Sequence, residues 1–140
     1  MSRVLAVDWG TRRVGVAVSD PSGLVARPLP TLRVTSARDA REQVEETAVR
    51  EEADVVLIGL PLNMDGTEGP AAARARSLGA ALEAQGLAVR FLDERLTSDD
   101  ARRWLRERGE SRPDTGRVDQ VAALLLLQEF LTEARESGRA

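Results

Sequence analysis

The sequence predicts an α/β fold in which a five-stranded mixed sheet, with strand order 3-2-1-4-5, is flanked by helices. Three observations lead to this prediction. Two short valine-rich segments near the N-terminus indicate a hairpin, and a continuous apolar run at residues 55–59 is typical of a strand buried on both faces. Beyond residue 36, helical apolar spacing alternates with strand-like segments, an order that is typical of parallel crossovers.

The first element is a hairpin over residues 4–19, whose two arms flank a Gly-Thr-Arg-Arg turn. Asp8 ends the first arm, so its carboxylate should lie at the mouth of the sheet. Gly10 and Gly15 leave the backbone open to a phosphate-bearing ligand, and a carboxylate beside a phosphate requires a cation. The hairpin therefore suggests metal-assisted phosphate chemistry, the alternative being a plain turn that carries an Asp.

The remaining elements follow from local signals in chain order. Residues 26–34 contain two prolines and are predicted to form a third, edge-like strand. Ser36 to Asp39 reads as a capping box that opens a helix, and the apolar run at residues 55–59 is the fourth strand. Next come a polar loop at 60–69, a helix from about Pro70, a strand at 87–94, a short helix capped at 97–100, a loop at 109–116 and a last helix at about 117–133.

This order of elements fixes the predicted topology. Right-handed crossovers place the later strands on the far side of strand one, which becomes central. Its C-terminal end, with Asp8, then lies where open α/β sheets tend to bind ligands. This is the topology of the RNase H-like fold, and we expect one such domain over residues 1–140.

Composition narrows the chemistry by exclusion. The chain contains no Cys, His, Tyr or Lys. Disulfides, thiolate zinc sites, Ser-His-Asp triads and catalytic lysines are therefore excluded, and carboxylates remain for catalysis, assisted by Arg, hydroxyl groups and bound metal. No stretch approaches the ~18–20 apolar residues that span a bilayer, and the N-terminus lacks a signal-peptide pattern. We expect a cytoplasmic protein with no membrane partner.

The net charge of −3 hides a segregated distribution. Residues 39–54 carry seven acids against two arginines, whereas residues 102–117 carry six arginines against three acids. Phosphate binding depends on the local field and not on the sum, so the second segment is a candidate nucleic-acid contact. The alternative is a solvated helix face.

Two further acidic positions could join Asp8. The strand at residues 87–94 ends in Asp93 and Glu94, which face opposite sides of the sheet, so both cannot point into one site. Asp119 leads an apolar face of the last helix, where a carboxylate is costly to bury unless it is paired or bound to metal. The alternative is a first-turn acid that complements the helix dipole. Converging carboxylates without His describe a site for hard divalent cations.

Four segments carry a resemblance to a known family. They are DWGTRRVGVA at residues 8–17, GLPLNMDGTE at 59–68, DERLTS at 93–98 and GRVD at 116–119. On these motifs, which together cover nearly the whole chain, the sequence resembles the YqgF/RuvX family of Holliday junction resolvases and pre-16S rRNA nucleases, within the RNase H-like superfamily.

The resemblance implies a nuclease that hydrolyses phosphodiester bonds. Its catalytic, metal-binding acids would be Asp8, Glu94 and Asp119, holding two Mg²⁺ or Mn²⁺ ions roughly 4 Å apart. The implied partner is nucleic acid, either the 5′ end of precursor 16S rRNA, or structured or branched DNA, or both. The side chains expected to contact it are Thr11, Arg12, Arg13, Asn63 and Arg95.

Two other functions stay open. One is a non-catalytic RNase H-like module that binds nucleic acid without cleaving it, and the other is an ATP-binding domain of the actin and Hsp70 type. Metal-independent binding without cleavage would indicate the first, and saturable ATP binding the second. The loop around Asn63 also has plain turn chemistry in Asp65-Gly66, so a simple turn is the alternative to a substrate-binding loop. The oligomeric state stays open between a monomer and a homodimer.

Overall fold

The computed structural model describes residues 3–10, 12–94 and 97–137, and the side chains of Glu94, Thr97 and Ser98 lie outside that description. The strands are β1 (Val4–Trp9), β2 (Arg13–Ser19), β3 (Ala26–Pro28), β4 (Leu32–Arg33), β5 (Val55–Pro61) and β6 (Ala88–Glu94). The helices are α1 (Ala37–Arg50), α2 (Pro70–Ala84), α3 (Thr97–Glu107) and α4 (Thr115–Glu136).

The strands form one mixed sheet in the order β3-β2-β1-β5-β6. Strand β1 is central, antiparallel to β2 and parallel to β5, and β6 continues the parallel half. The predicted order 3-2-1-4-5 is therefore confirmed. In the β1–β2 register Asp8 lies opposite Gly15, a pairing that positions the candidate site.

The predicted third strand is divided in two. Strands β3 and β4 both pair with β2, so the sheet has six strands where five were expected. Pro28 and Pro30 interrupt the segment because proline has no N–H to donate to a ladder. Between the two short strands, the Leu29 N–H still donates to the Val16 carbonyl at 2.9 Å.

Side-chain caps set the starts of α1 and α4. The Ser36 hydroxyl accepts a hydrogen bond from the Asp39 N–H at 3.0 Å, as predicted. In a capping box the Asp39 carboxylate would accept from the Ser36 N–H, but here it accepts from the N–H of the preceding residue, Thr35, at 2.8 Å. Asp114 caps α4 by accepting from the Arg117 N–H at 2.8 Å. This cap explains why α4 begins slightly earlier than predicted.

The helices cover the two faces of the sheet unequally. Helices α1 and α2 bury one face together with Leu5, Val7 and Ile58. Helix α4 buries the other face against Ala6 and Leu57, and α3 packs on α4 through a separate cluster. Each large apolar side chain buried in this way contributes about 1.5–3 kcal/mol. Within the part of the chain that the structure describes, no helix is long and apolar enough to cross a membrane.

Candidate active site

Asp8 lies near the carboxyl end of the central strand and is half-buried. Side chains alternate between the faces of a strand, and Val4 and Ala6 belong to the cluster under α4. Asp8 continues that series, whereas Trp9 packs with the cluster under α1 and α2. The carboxylate of Asp8 is therefore on the α4 face, at the edge of the sheet where the parallel strands end.

Gly15 brings α4 onto this same position. A Cβ built on Gly15 would overlap the carbonyl oxygen of Asp119 and would lie 2.7 Å from its carbonyl carbon. Directly opposite residues of an antiparallel pair project to the same face, and Gly15 is opposite Asp8. Asp119 thus lies on the face of the sheet that carries Asp8, where the α4 backbone can approach because Gly15 has no side chain. The expectation that Gly15 opens the backbone to a ligand is wrong, since the helix backbone fills that space.

Arg13 compensates the charge of Asp119. Its Nε lies 2.7 Å from Oδ2 of Asp119, across 106 residues of sequence, with the two side chains 36% and 23% exposed. This ion pair holds the Asp119 carboxylate against β2 and places a positive charge beside it. Arg13 was predicted to contact substrate phosphate, and here its described partner is a predicted catalytic acid. Arg12, its neighbour, is exposed in the β1–β2 turn.

The end of β6 separates Asp93 from this face. Leu92 packs in the cluster under α4, whereas Phe91 packs in the opposite cluster. Asp93 is two residues from Phe91 and therefore lies on the same face of the strand. The pKa of Arg76 is raised mainly by its hydrogen bond to Glu68, and the negative charge of Asp93 also contributes to this rise. The Arg76 guanidinium also lies over the Phe91 ring at 5.4 Å. Asp93 therefore belongs to the α2 face, away from Asp8.

The third predicted acid, Glu94, ends β6 in register with Pro61. Its backbone position falls on the strand face of Leu92, but its side chain is outside the described residues, as are Thr11 and Arg95 altogether. Among the described side chains, no group of three acids is close enough to hold a metal ion. Asp8 and Asp119 nevertheless offer the carboxylate oxygens that Mg²⁺ and Mn²⁺ prefer, so the described part of the site fits a hard divalent cation.

Asn63 organises the loop between β5 and α2. Its side-chain amide donates to the Thr67 hydroxyl at 2.9 Å, and its backbone N–H donates to the Thr67 carbonyl at 2.8 Å. Arg76 holds Glu68 by hydrogen bonds of 2.6 and 2.7 Å, and these bonds keep the pKa of Glu68 below its usual value. The exposed loop is thus a braced turn that projects from the same edge of the sheet as Asp8.

The arginine-rich segment is largely occupied by intramolecular pairs. Arg103 lies 3.0 Å from Asp100, and Arg117 lies 3.1 Å from Glu110. The Arg108 guanidinium stacks 3.6 Å from the centre of the Trp104 ring. Among the described residues, Arg106 and Arg112 have no ion pair, and both are exposed. These two arginines are the ones in the segment best placed to meet a phosphate.

Comparisons with known proteins agree on the family. A family model described as RuvX, Holliday junction resolvase, matches residues 2–133. A protein of Koribacter versatilis named "Putative pre-16S rRNA nuclease" is 42% identical over 135 residues, covering 92% of this chain and 86% of the relative. A protein of the same name from Streptomyces coelicolor is 40% identical, covering 98% of this chain and 84% of the relative.

Solved structures share the fold. The RuvC of Thermus thermophilus in complex with a Holliday junction substrate has a TM-score of 0.62 at 19% identity, and the match covers 98% of this chain and 97% of that one. The Holliday junction resolvase of fowlpox virus has a TM-score of 0.55 at 13% identity, covering 94% of this chain and 99% of that one. At these identities the likeness concerns the fold, which is the predicted RNase H-like one.

Proposed function

We propose that this chain, which belongs to the RuvX family of Holliday junction resolvases, carries out its nuclease reaction with Asp8, Glu94 and Asp119 as catalytic, metal-binding acids. The observation that carries the proposal is the close packing of Asp119 against Gly15, the residue directly opposite Asp8 on the neighbouring strand. The cofactor would be Mg²⁺ or Mn²⁺, with two ions as the working arrangement. A divalent cation bound there would supply an activated water and neutralise charge on the phosphate.

The chain's own residues define what the site can do. Asp8 is fixed by the central strand and Asp119 by the first turns of α4, so their separation is set by two rigid elements rather than by loops. Since the chain has no His or Lys, neither can serve as a general base or a phosphate clamp. Arg13 supplies positive charge next to Asp119, and a guanidinium matches phosphate oxygens in a bidentate manner.

We propose precursor 16S rRNA, cleaved at its 5′ end, as the substrate, because relatives about as long as this chain bear a name that refers to it. Branched DNA is the second candidate, supported by the description of the matching family model. Shape or end recognition suits this chain better than base reading, since only two Trp and two Phe are present to stack bases.

One preparation assayed on three substrates tests the function. Precursor 16S rRNA, an unrelated single-stranded RNA and a four-way DNA junction are incubated with Mn²⁺, with Mg²⁺ and with EDTA. We expect metal-dependent cleavage near the 5′ end of the precursor, and none in EDTA. Cleavage of the junction alone would establish the second candidate. Metal-independent binding with no cleavage of any substrate would overturn the enzyme assignment.

Arg13→Gln is expected to lower the Mn²⁺ concentration needed for half-maximal cleavage. The Arg13 guanidinium competes with a cation for the Asp119 carboxylate, so its removal should favour metal binding by several-fold and weaken substrate binding at the same time. Metal titration by calorimetry, without substrate, measures the first effect directly. Arg12→Gln is the matched control, because Arg12 is an exposed neighbour. An unchanged metal requirement in Arg13→Gln would contradict the competition.

Replacing Arg106 and Arg112 with Gln is expected to weaken nucleic-acid binding evenly across sequences. If both contact phosphates, the slope of log K against log salt concentration should flatten by ~0.7–0.9 for each lost contact. Arg103→Gln serves as the control, because Arg103 already pairs with Asp100 and should change the slope less. The same slope in the wild type, in the double variant and in Arg103→Gln would show that this segment is a solvated helix face.

A further inference from the structure

A cavity of about 440 Å³ lies between α1 and α2, on the face of the sheet opposite Asp8. Trp9 and the buried Leu78 contribute its apolar part, together with small side chains such as Ala73. The strand that carries Asp8 therefore also lines this second concavity with its next residue. The volume exceeds what a phosphate ion needs and falls within the ~300–1,000 Å³ range of small-molecule sites.

The charged part of the cavity is uniformly positive. Arg38, Arg41 and Arg74 line it, and its lining includes no acidic residue. Arg38 and Arg41 pair with acids of their own helix, Glu42 at 3.0 Å and Glu45 at 3.5 Å. Ion pairs one helical turn apart hold their partners weakly, because water competes for both charges. Both arginines therefore remain available to an incoming anion.

Arg74 lacks even a weak carboxylate partner. Within the described ranges it makes no ion pair, and its Nε is withdrawn from solvent without a hydrogen-bond acceptor. The indole Nε1 of Trp9 is in the same condition, whereas the Arg41 Nε lies 3.5 Å from a carboxylate oxygen of Glu45. Buried donors are almost always bonded in folded proteins, so these two unbonded donors beside one cavity indicate an acceptor that a ligand would supply.

The N-terminus of α1 adds to this field. Ala37 and Arg38 belong to the first turn of α1, whereas the α2 residues of the lining begin at Ala73, one turn into that helix. The N-terminal turn of α1 therefore borders the cavity, where the helix dipole favours negative charge. An occupant must thus combine an anionic, acceptor-rich group with a flat apolar group of moderate size.

We propose that this cavity binds one nucleotide, with its phosphate on Arg74 and Arg41 and its base against Trp9 and Leu78. The nucleotide would be either the phosphorylated end of a nucleic-acid strand or a free nucleoside 5′-monophosphate, which share this chemistry. The cavity lies apart from Asp8 and Asp119, so nucleotide binding there does not depend on cleavage. This proposal would therefore stand even if the proposed nuclease site were wrong.

The test follows the indole N–H resonance of Trp9 by NMR, in EDTA so that no cleavage occurs. Trp104→Phe identifies which of the two indole signals belongs to Trp9. AMP, UMP, a 5′-phosphorylated trinucleotide and inorganic phosphate are titrated separately. We expect the nucleotides to shift the Trp9 signal saturably and to bind at least about tenfold more weakly to Arg74→Gln, since a hydrogen bond to a charged group is lost. Arg90→Gln is the matched control, because Arg90 is exposed on β6 and does not line the cavity, and it should bind as the wild type does.

Ser77→Glu provides a second variant, because it places a negative charge in the cavity from an exposed position and should not disturb folding. It is expected to weaken binding as Arg74→Gln does. Tighter binding of the trinucleotide than of AMP would assign the site to a strand end, and the reverse to free nucleotide. No Arg74-dependent shift with any nucleotide, or inorganic phosphate binding as tightly as AMP, would overturn the proposal.

Discussion

Asp8→Asn is expected to abolish phosphodiester cleavage while leaving the fold intact. The amide is nearly isosteric with the carboxylate but carries no charge, so it is a far poorer ligand for a hard cation. Changing an outer-shell partner of a bound metal typically costs about 10–100-fold, and the loss of a direct ligand should exceed that range. Initial rates in Mn²⁺, with a thermal melt of the same sample, measure both effects.

Asp93→Asn is the matched control for this change. Asp93 lies at the same edge of the sheet but on the α2 face near Arg76, so its removal should leave the rate within a few-fold of wild type. Glu94→Gln should behave like Asp8→Asn and raise the metal requirement. Wild-type turnover in Asp8→Asn would remove the carboxylate mechanism. An inactive Asp93→Asn beside an active Glu94→Gln would place the site on the opposite face of the sheet.

Gly15→Ala is expected to damage stability and activity together. A methyl group at this position overlaps the Asp119 backbone, so α4 must move away from β2, and Asp119 must move with it. Overpacking of this kind costs about 1–3 kcal/mol, and the obstacle here is backbone, which cannot rotate aside as a side chain would. Urea unfolding should show a lower midpoint, and the cleavage rate at saturating metal should fall at least about tenfold.

Gly10→Ala separates this effect from a general loss of backbone freedom. A Cβ at Gly10 would lie 3.4 Å from the Arg13 carbonyl oxygen, which is ordinary contact, so this variant should remain close to wild type in both measurements. If Gly15→Ala were equally stable and active, the close approach of α4 to β2 would not hold the acids together. The proposed site would then lose the contact on which it depends.

The fold could be predicted because local patterns and chirality rules act together. Valine-rich arms indicated the hairpin, the apolar run indicated the buried strand β5, and right-handed crossovers fixed the order around β1. The resemblance to the YqgF/RuvX family and the nuclease class are confirmed by the family match and by the curated relatives. The division of the third strand was missed because the two prolines were read as marking an edge strand rather than as breaking it.

The candidate site was harder to predict. Alternation along a strand predicted opposite faces for Asp93 and Glu94, and the preceding residues Phe91 and Leu92 do pack on opposite faces, since period-two geometry is local. The Arg13–Asp119 pair joins residues 106 positions apart, and no local pattern encodes such a contact. Gly15 was predicted to leave room for a ligand, whereas it leaves room for α4. That error has the same origin, because the approach of α4 depends on tertiary packing. The roles of Asp8, Glu94 and Asp119 in catalysis stay predictions.

The discontinuous edge formed by β3 and β4 offers no continuous row of free backbone donors with which a strand of another chain could pair. An incoming chain would meet Pro28 at the end of the three-residue ladder of β3 and Pro30 in the gap before the two-residue ladder of β4, and neither proline has an N–H. At the opposite border, β6 carries the exposed charges of Arg90 and Asp93, which oppose the burial that strand addition requires. Both edge strands therefore disfavour the addition of further strands that would produce amyloid-like fibrils. This protection matters because aliphatic residues, which favour such aggregation, dominate the central strands of this sheet.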